Sequence, residues 1–311
     1  MITEIKTPSK LEKLLKAGHL VVTSECGPPR GSDASAITKK AEMIKNHVDA
    51  INITDNQTSV TRLCSLASVI HLKLMGLEPI LQMVTRDRNR IALQSDILGA
   101  ASFDIFNILC LSGDHQIFGD NPKGQNVFDL DSMQLIQTVR HMRDEGKFLS
   151  GDPIQRPPRL FVGAAANPFA DPFEFRVHRM GMKIAAGADF IQTQCIYNMD
   201  KFRAFMKMAV DMGLHEKAYI LAGITPMKSV GMAQYMAKSV PGMDVPESLI
   251  KRLRGAGKGK VAEEGIQFAI EQIQEFKEMK GIAGIHLMAI EWEHKVPEIT
   301  ERAGLLPRPK V

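Results

Sequence analysis

Eight short apolar, β-branched runs punctuate the chain, and longer stretches with apolar positions every three or four residues separate them. The runs are HLVVTSE, VDAINIT, EPILQMV, FDIFNILCL, RLFVGAAA, ADFIQTQ, AYILAGI and AGIHLMAI. Strands that are apolar on both faces need cover on both faces, which is the condition of a parallel sheet flanked by helices. The intervening spacing predicts helices in SAITKKAEMIKN, VTRLCSLASVIHLKLMG, LDSMQLIQTVRHMRDEG, DPFEFRVHRMGMKIAAG and MDKFRAFMKMAVDMG. Several of these close on glycine shortly before the next run, as helix C-termini prefer. Eight such units predict a single (β/α)8 TIM barrel over residues 1–311, a fold that commonly needs about 250 residues plus insertions. A doubly wound open sheet would carry a Gly-rich dinucleotide turn after its first strand, and ECGPPRG stands in that place. An N-terminal helix is expected before the first strand. KSVPGMDVPESLIKRLRGAGKGK reads as an irregular extension between the seventh and eighth strands, and GDHQIFGDNPKGQNVFD (113–129) as a long loop after the fourth.

Composition narrows the function classes. Hydrophobic content of 44% supplies a large core, and a net charge of +4 is too small to argue for nucleic acid. No apolar run approaches the roughly 18 residues that span a bilayer. The opening MITEIKTPSKLEKLLKAG is polar and amphipathic, without a signal-peptide core. Cys26, Cys64, Cys110 and Cys195 are scattered, which suits a reducing cytoplasm and forms neither a disulfide framework nor a zinc site. Histidines are equally dispersed, so no metal is expected. The frequent methionines read as core filling.

In a barrel of this kind the chemistry sits where the strands deliver their C-terminal ends. Those ends are polar: Ser24 and Glu25 after the first run, Thr54-Asp55-Asn56-Gln57 after the second, and Gln82 and Thr85 at the third. Ser112-Gly113-Asp114-His115 follows the fourth, Ala165 to Asn167 ends the fifth, and Gln192, Gln194 and Tyr197 mark the sixth. Glu291 and Trp292, the single tryptophan, follow the eighth. A ring of polar groups at one mouth is the composition of a ligand pocket. Glu25 ends its strand just before Pro28-Pro29, which halts the ladder. Glu25 and Asp114 facing one cavity would push their pKa values apart, leaving one of them protonated. Residue types and spacing lead to a small-molecule enzyme with a carboxylic acid. The plainer alternative for Glu25 is a solvated rim carboxylate.

Four motifs in register carry a resemblance: Glu25 before Pro28-Pro29-Arg30, LSGD at Leu111 to Asp114, AAGADFIQTQCIY at Ala185 to Tyr197, and GIHLMAI at Gly284 to Ile290. Together they resemble the methylenetetrahydrofolate reductase family over nearly the whole chain. The resemblance implies a barrel that reduces 5,10-methylenetetrahydrofolate to 5-methyltetrahydrofolate with a flavin, FAD or FMN. It implies Glu25 as the acid that opens the folate's five-membered ring, and Asp114 as the charge between flavin and pterin. Gln194 and Tyr197 would hold folate beside Asp114. Thr54, Asn56, Ser112, Gly113, Asp114, His115, Phe128, Ala165 and Lys183 would contact the flavin, Lys183 through its phosphate. The chain departs from the family pattern at Cys26 and Gly27, where two aromatics are usual, and at Met83, in place of a histidine. It departs again at Ser112, in place of the LRGD arginine, and at Glu291-Trp292, in place of Asn-Arg. The expected electron donor is therefore NAD(P)H or a partner redox subunit, and an oligomer is expected. Two other readings stay open: a pterin barrel that passes a methyl group to a corrinoid protein, and a non-catalytic barrel subunit of a larger complex.

Overall fold

A computed structural model describes residues 5–311, so the first four residues of the polar N-terminal segment lie outside the description. The strands are β1 (Val21–Cys26), β2 (Ala50–Ile53), β3 (Pro79–Val84), β4 (Asn107–Leu111), β5 (Phe161–Ala166), β6 (Phe190–Cys195), β7 (Tyr219–Ile224) and β8 (Ile282–Leu287). All neighbours are parallel, and β8 returns to β1 with Val21 opposite Gly284 and Ser24 opposite Leu287. The chain is a closed (β/α)8 barrel, as the alternation of runs predicts.

Strand alternation builds two cores. Outward-facing Val22, Ile51, Leu81, Ile108, Val162 and Ile191 join a continuous layer with the surrounding helices. Inward-facing Val21, Ala50, Ile80, Leu109, Phe161, Phe190 and Leu221 fill the lower barrel, and Leu11, Leu14 and Leu15 of the helix Lys10–Lys16 close it from below. Phe161 and Phe190 stack with ring centroids 5.0 Å apart. Gly163 makes room for this pair: a Cβ there would lie 2.2 Å from the Phe190 ring. Buried carboxylates tie strand starts to distant elements. Asp49 accepts from the Val22 backbone N–H at 2.7 Å and pairs with Arg308 near the C-terminus. Asp189 accepts from the Val162 N–H at 2.9 Å and pairs with Arg143.

Two elements differ from expectation. The fourth run is shorter as a strand, because Asp104 takes a left-handed turn (φ 53°) and β4 begins at Asn107. The β7–β8 connection is mostly helical, with helices Val230–Ser239, Glu247–Gly255 and Val261–Glu278. Leu249, Ile250 and Leu253 recur at helical spacing and are buried, which explains why the middle of that stretch folds as a helix.

Candidate active site

At the C-terminal mouth lies a cavity of about 410 Å³. Glu25, Thr54, Asn56, Ser112, Gly113, Asp114, Ala165, Lys183 and Gln194 all line it. Three other expected residues do not. His115 caps a short 3-10 turn, its Nδ1 accepting from the Ile117 N–H at 3.3 Å. Phe128 sits on the surface in a left-handed conformation (φ 39°). Tyr197 is buried with Met227, Met236 and Leu249 beneath the β7–β8 helices. Gln194 follows Gln192 by two residues and so faces the mouth, whereas Tyr197 falls on the opposite alternation with Cys195, just beyond the end of β6.

Glu25 points inward from β1, and its side chain is 23% exposed, to the cavity. Burial, above all, raises its pKa, with a hydrogen bond from Gln82 opposing. The raising cause is burial rather than the charge of Asp114, which corrects the two-acid expectation. Gln82 Nε2 donates to Glu25 Oε2 at 2.8 Å, and His286 Nε2 lies 3.9 Å from the same oxygen. His286 is enclosed in the barrel, and burial pushes its pKa down to about 3, so the ring is neutral. Below it, Thr23 and the Asn52–Gln192 amide pair form a buried polar floor.

Asp114 is presented by its backbone. Arg86 Nη1 at 3.0 Å and Ser59 Oγ at 2.8 Å both donate to its carbonyl oxygen. Gly113 precedes it at φ +85°, where a Cβ would also press on Val84 at 3.1 Å, so only glycine fits this turn comfortably. The Asp114 carboxylate makes no hydrogen bond with the described residues and stays open to the mouth. The buried Arg86 also donates to Asn56 O and Ser59 Oγ and pairs with Asp87, so one guanidinium binds the loops after β2, β3 and β4 together.

The opposite wall is cationic. Lys183 and Arg179, four residues apart on the helix Phe173–Ala186, both line the cavity. Lys183 Nζ donates to Ala165 O at 2.7 Å, and neither cation pairs with a carboxylate among the described residues. Burial first, then the charge of Arg179, pulls the Lys183 pKa down to about 8. Two unpaired cations beside a polar cavity suit a ligand with an anionic group.

A family model described as methylenetetrahydrofolate reductase matches residues 10–304. The chain belongs to the methylenetetrahydrofolate reductase family. A *Caenorhabditis elegans* protein named "Probable methylenetetrahydrofolate reductase (NADPH)" is 23% identical over 257 residues, covering 80% of this chain and 36% of that protein. "Methylenetetrahydrofolate reductase 1" of *Schizosaccharomyces pombe* is 27% identical over 208 residues, covering 64% of this chain and 31% of that protein. The chain thus spans about a third of the length of these relatives. Among solved structures, an uncharacterized protein from *Clostridium thermocellum* that binds two copies of 5-methyl-5,6,7,8-tetrahydrofolic acid shares the fold. Its TM-score is 0.66 at 15% identity, covering 96% of this chain and all of that one.

Set against the methylenetetrahydrofolate reductase pattern, the departures have local explanations. A Cβ at Gly27 would lie 2.6 Å from Gln57 Nε2, whose side chain accepts from Thr54 Oγ1 at 2.7 Å. Ser112 Oγ accepts from the Ser132 N–H at 3.2 Å and braces the helix Ser132–Asp144. Met83 is buried in the strand–helix layer, away from the cavity. Glu291 pairs with Lys40 at 3.1 Å, and Lys228 sits 5.8 Å over the Trp292 ring, so both residues belong to a rim cluster. Cys26, Cys110 and Cys195 are buried, and burial pushes all three thiols up, Cys195 to about 11.

The strand-end reading missed Arg86, Arg179 and the role of His286. TRDRNR after the third run carried a signal, since an alternating-charge segment next to a buried strand must pair. For His286 the only signal was one histidine inside an apolar run.

Proposed function

We propose that this chain reduces 5,10-methylenetetrahydrofolate to 5-methyltetrahydrofolate with a bound flavin. The observation that carries the reading is Glu25, a carboxyl whose pKa is raised by burial and whose side chain opens to the cavity. Family membership and the cationic wall support it. The donor set suits a flavin: Lys183 and Arg179 would hold its phosphate, with Thr54, Asn56, Ser112, Gly113 and Ala165 around the rings and ribityl arm. Reduced flavin, when bound, supplies a hydride.

The chain's own residues do the rest. Glu25 protonates the leaving amine nitrogen of the five-membered ring, which opens to a cationic iminium on the folate. Asp114, unpaired at the mouth, stabilises that cation and hydrogen-bonds the pterin amino edge. Gln194 orients the pterin from β6. Hydride addition to the iminium carbon leaves the methyl group. Electrons reach the flavin from NAD(P)H or a partner redox subunit.

The test is an absorbance spectrum of the pure protein, with mass spectrometry of the released cofactor, followed by addition of methylenetetrahydrofolate to the reduced enzyme. Release or uptake of FAD or FMN and folate-dependent reoxidation are expected. Failure of both flavins to bind would sink the proposal.

A further inference from the structure

The polar floor beneath Glu25 is a directed chain of hydrogen bonds across the barrel. Gln192 on β6 has two amide hydrogens. One goes to Asn52 Oδ1 on β2 at 3.0 Å, and the other to Thr23 Oγ1 on β1 at 3.1 Å. Asn52 Nδ2 donates back to Gln192 Oε1 at 2.7 Å, so the two amides lock each other's orientation. Asn52, Thr23, Gln192 and His286 are all buried, so water does not compete for these positions.

The consequence passes along the chain by donor arithmetic. Thr23, having accepted from Gln192, has one hydrogen to give. Its best acceptor is His286 Nδ1 at 2.9 Å, since the Ile285 carbonyl lies at 3.4 Å. Nδ1 is then the acceptor nitrogen, and a neutral imidazole must carry its proton on Nε2. That nitrogen lies 3.9 Å from Glu25 Oε2, farther than a hydrogen bond, while Gln82 donates to that oxygen at 2.8 Å.

We infer that Thr23 is a positioning residue that holds His286 as its Nε2–H tautomer by donating to Nδ1, which turns the Nε2–H toward the Glu25 carboxyl. With Oε2 held by Gln82, Oε1 is the oxygen left free for a ligand in the cavity. Glu25 therefore meets a bound molecule as an oriented acid. The catalytic value of this orientation rests on the proposed folate reaction, whereas the tautomer does not.

The test needs neither flavin nor folate. Protein labelled with 15N-histidine is examined by long-range 1H–15N NMR, with His286→Asn identifying the His286 ring signals. Wild type should show a neutral ring protonated on Nε2. Thr23→Val should lift the constraint, because no hydroxyl then donates to Nδ1, and the Nδ1–H form should appear beside the first. Thr23→Ser should restore the wild-type signals. If a floor variant does not fold, the wild-type spectrum alone decides. A wild-type ring protonated on Nδ1 overturns the inference. A folded Thr23→Val protein with an unchanged ring overturns it too. An Nε2–H ring in a protein that never turns over folate would defeat the reaction reading and leave this one standing.

Discussion

The lower and upper halves of the barrel are built from the same strands and obey different chemistry. In the lower half, inward positions carry Val21, Ala50, Ile80, Phe161 and Phe190, and a helix plugs the base. Two residues further along, the inward positions are Thr23, Asn52, Gln82 and Gln192. Another step reaches Glu25, Thr54 and Gln194 at the cavity. A step of two keeps a side chain on the same face of a strand, so position along the strand alone selects stability below and function above. The two halves should therefore fail differently when altered.

The largest expected effect on stability is in the lower half. Phe190→Ala should cost about 3–5 kcal/mol, read by denaturant unfolding, because it empties a stacked, fully buried ring site. Turnover per folded molecule should change little. A loss well under about 1 kcal/mol would mean the base is not close-packed, and the contrast between halves would collapse.

Arg86→Met tests the layer between loops and floor. It removes the buried guanidinium that holds Asn56 O and Asp114 O. The expected stability loss is about 1–3 kcal/mol, together with folate binding weakened by about tenfold. Weakened binding without lost stability would show that Arg86 touches the ligand rather than the loops. Calorimetry and a folate titration on the same preparation separate the two.

A smaller effect is expected at the cationic wall. The Lys183 pKa is lowered to about 8, so in the free protein the amine loses its charge as pH rises through that value. An anionic group binds the protonated amine, so FMN affinity should fall as pH rises above about 8, the bound anion shifting the midpoint upward. Lys183→Arg should flatten this profile. An FMN affinity that does not change between pH 7 and 10, measured by fluorescence titration, would remove Lys183 from phosphate binding.

The same contrast explains what could be read from the chain. The apolar runs announced the lower half and the outer layer, because burial on both strand faces leaves a compositional mark. Strand ends announced Glu25, Thr54, Asp114 and Gln194, since turn formers and polar residues break the runs there. The floor did not show itself as a site. Thr23, Asn52 and His286 sit inside the runs, and only closure of β8 onto β1 sets His286 beside Glu25. Tyr197 was drawn into the expected site because it follows β6 closely, although it shares the outward alternation of Cys195 and is buried with it. His115 and Phe128 were included because they lie on the loop after β4, and the loop turns them away from the cavity.

The central claim is that Glu25, its pKa raised by burial, is the acid that serves the ligand, and Glu25→Gln tests it most directly. Glutamine keeps the size and polarity of the side chain and has no acidic proton to give. The measurement is single-turnover reoxidation of reduced flavoprotein by methylenetetrahydrofolate, wild type against Glu25→Gln. The expected result is a fall in rate on the order of 10² or more, with flavin binding and flavin reduction by an artificial dye preserved. Reoxidation of the variant at the wild-type rate would contradict the account and return Glu25 to the status of a rim carboxylate.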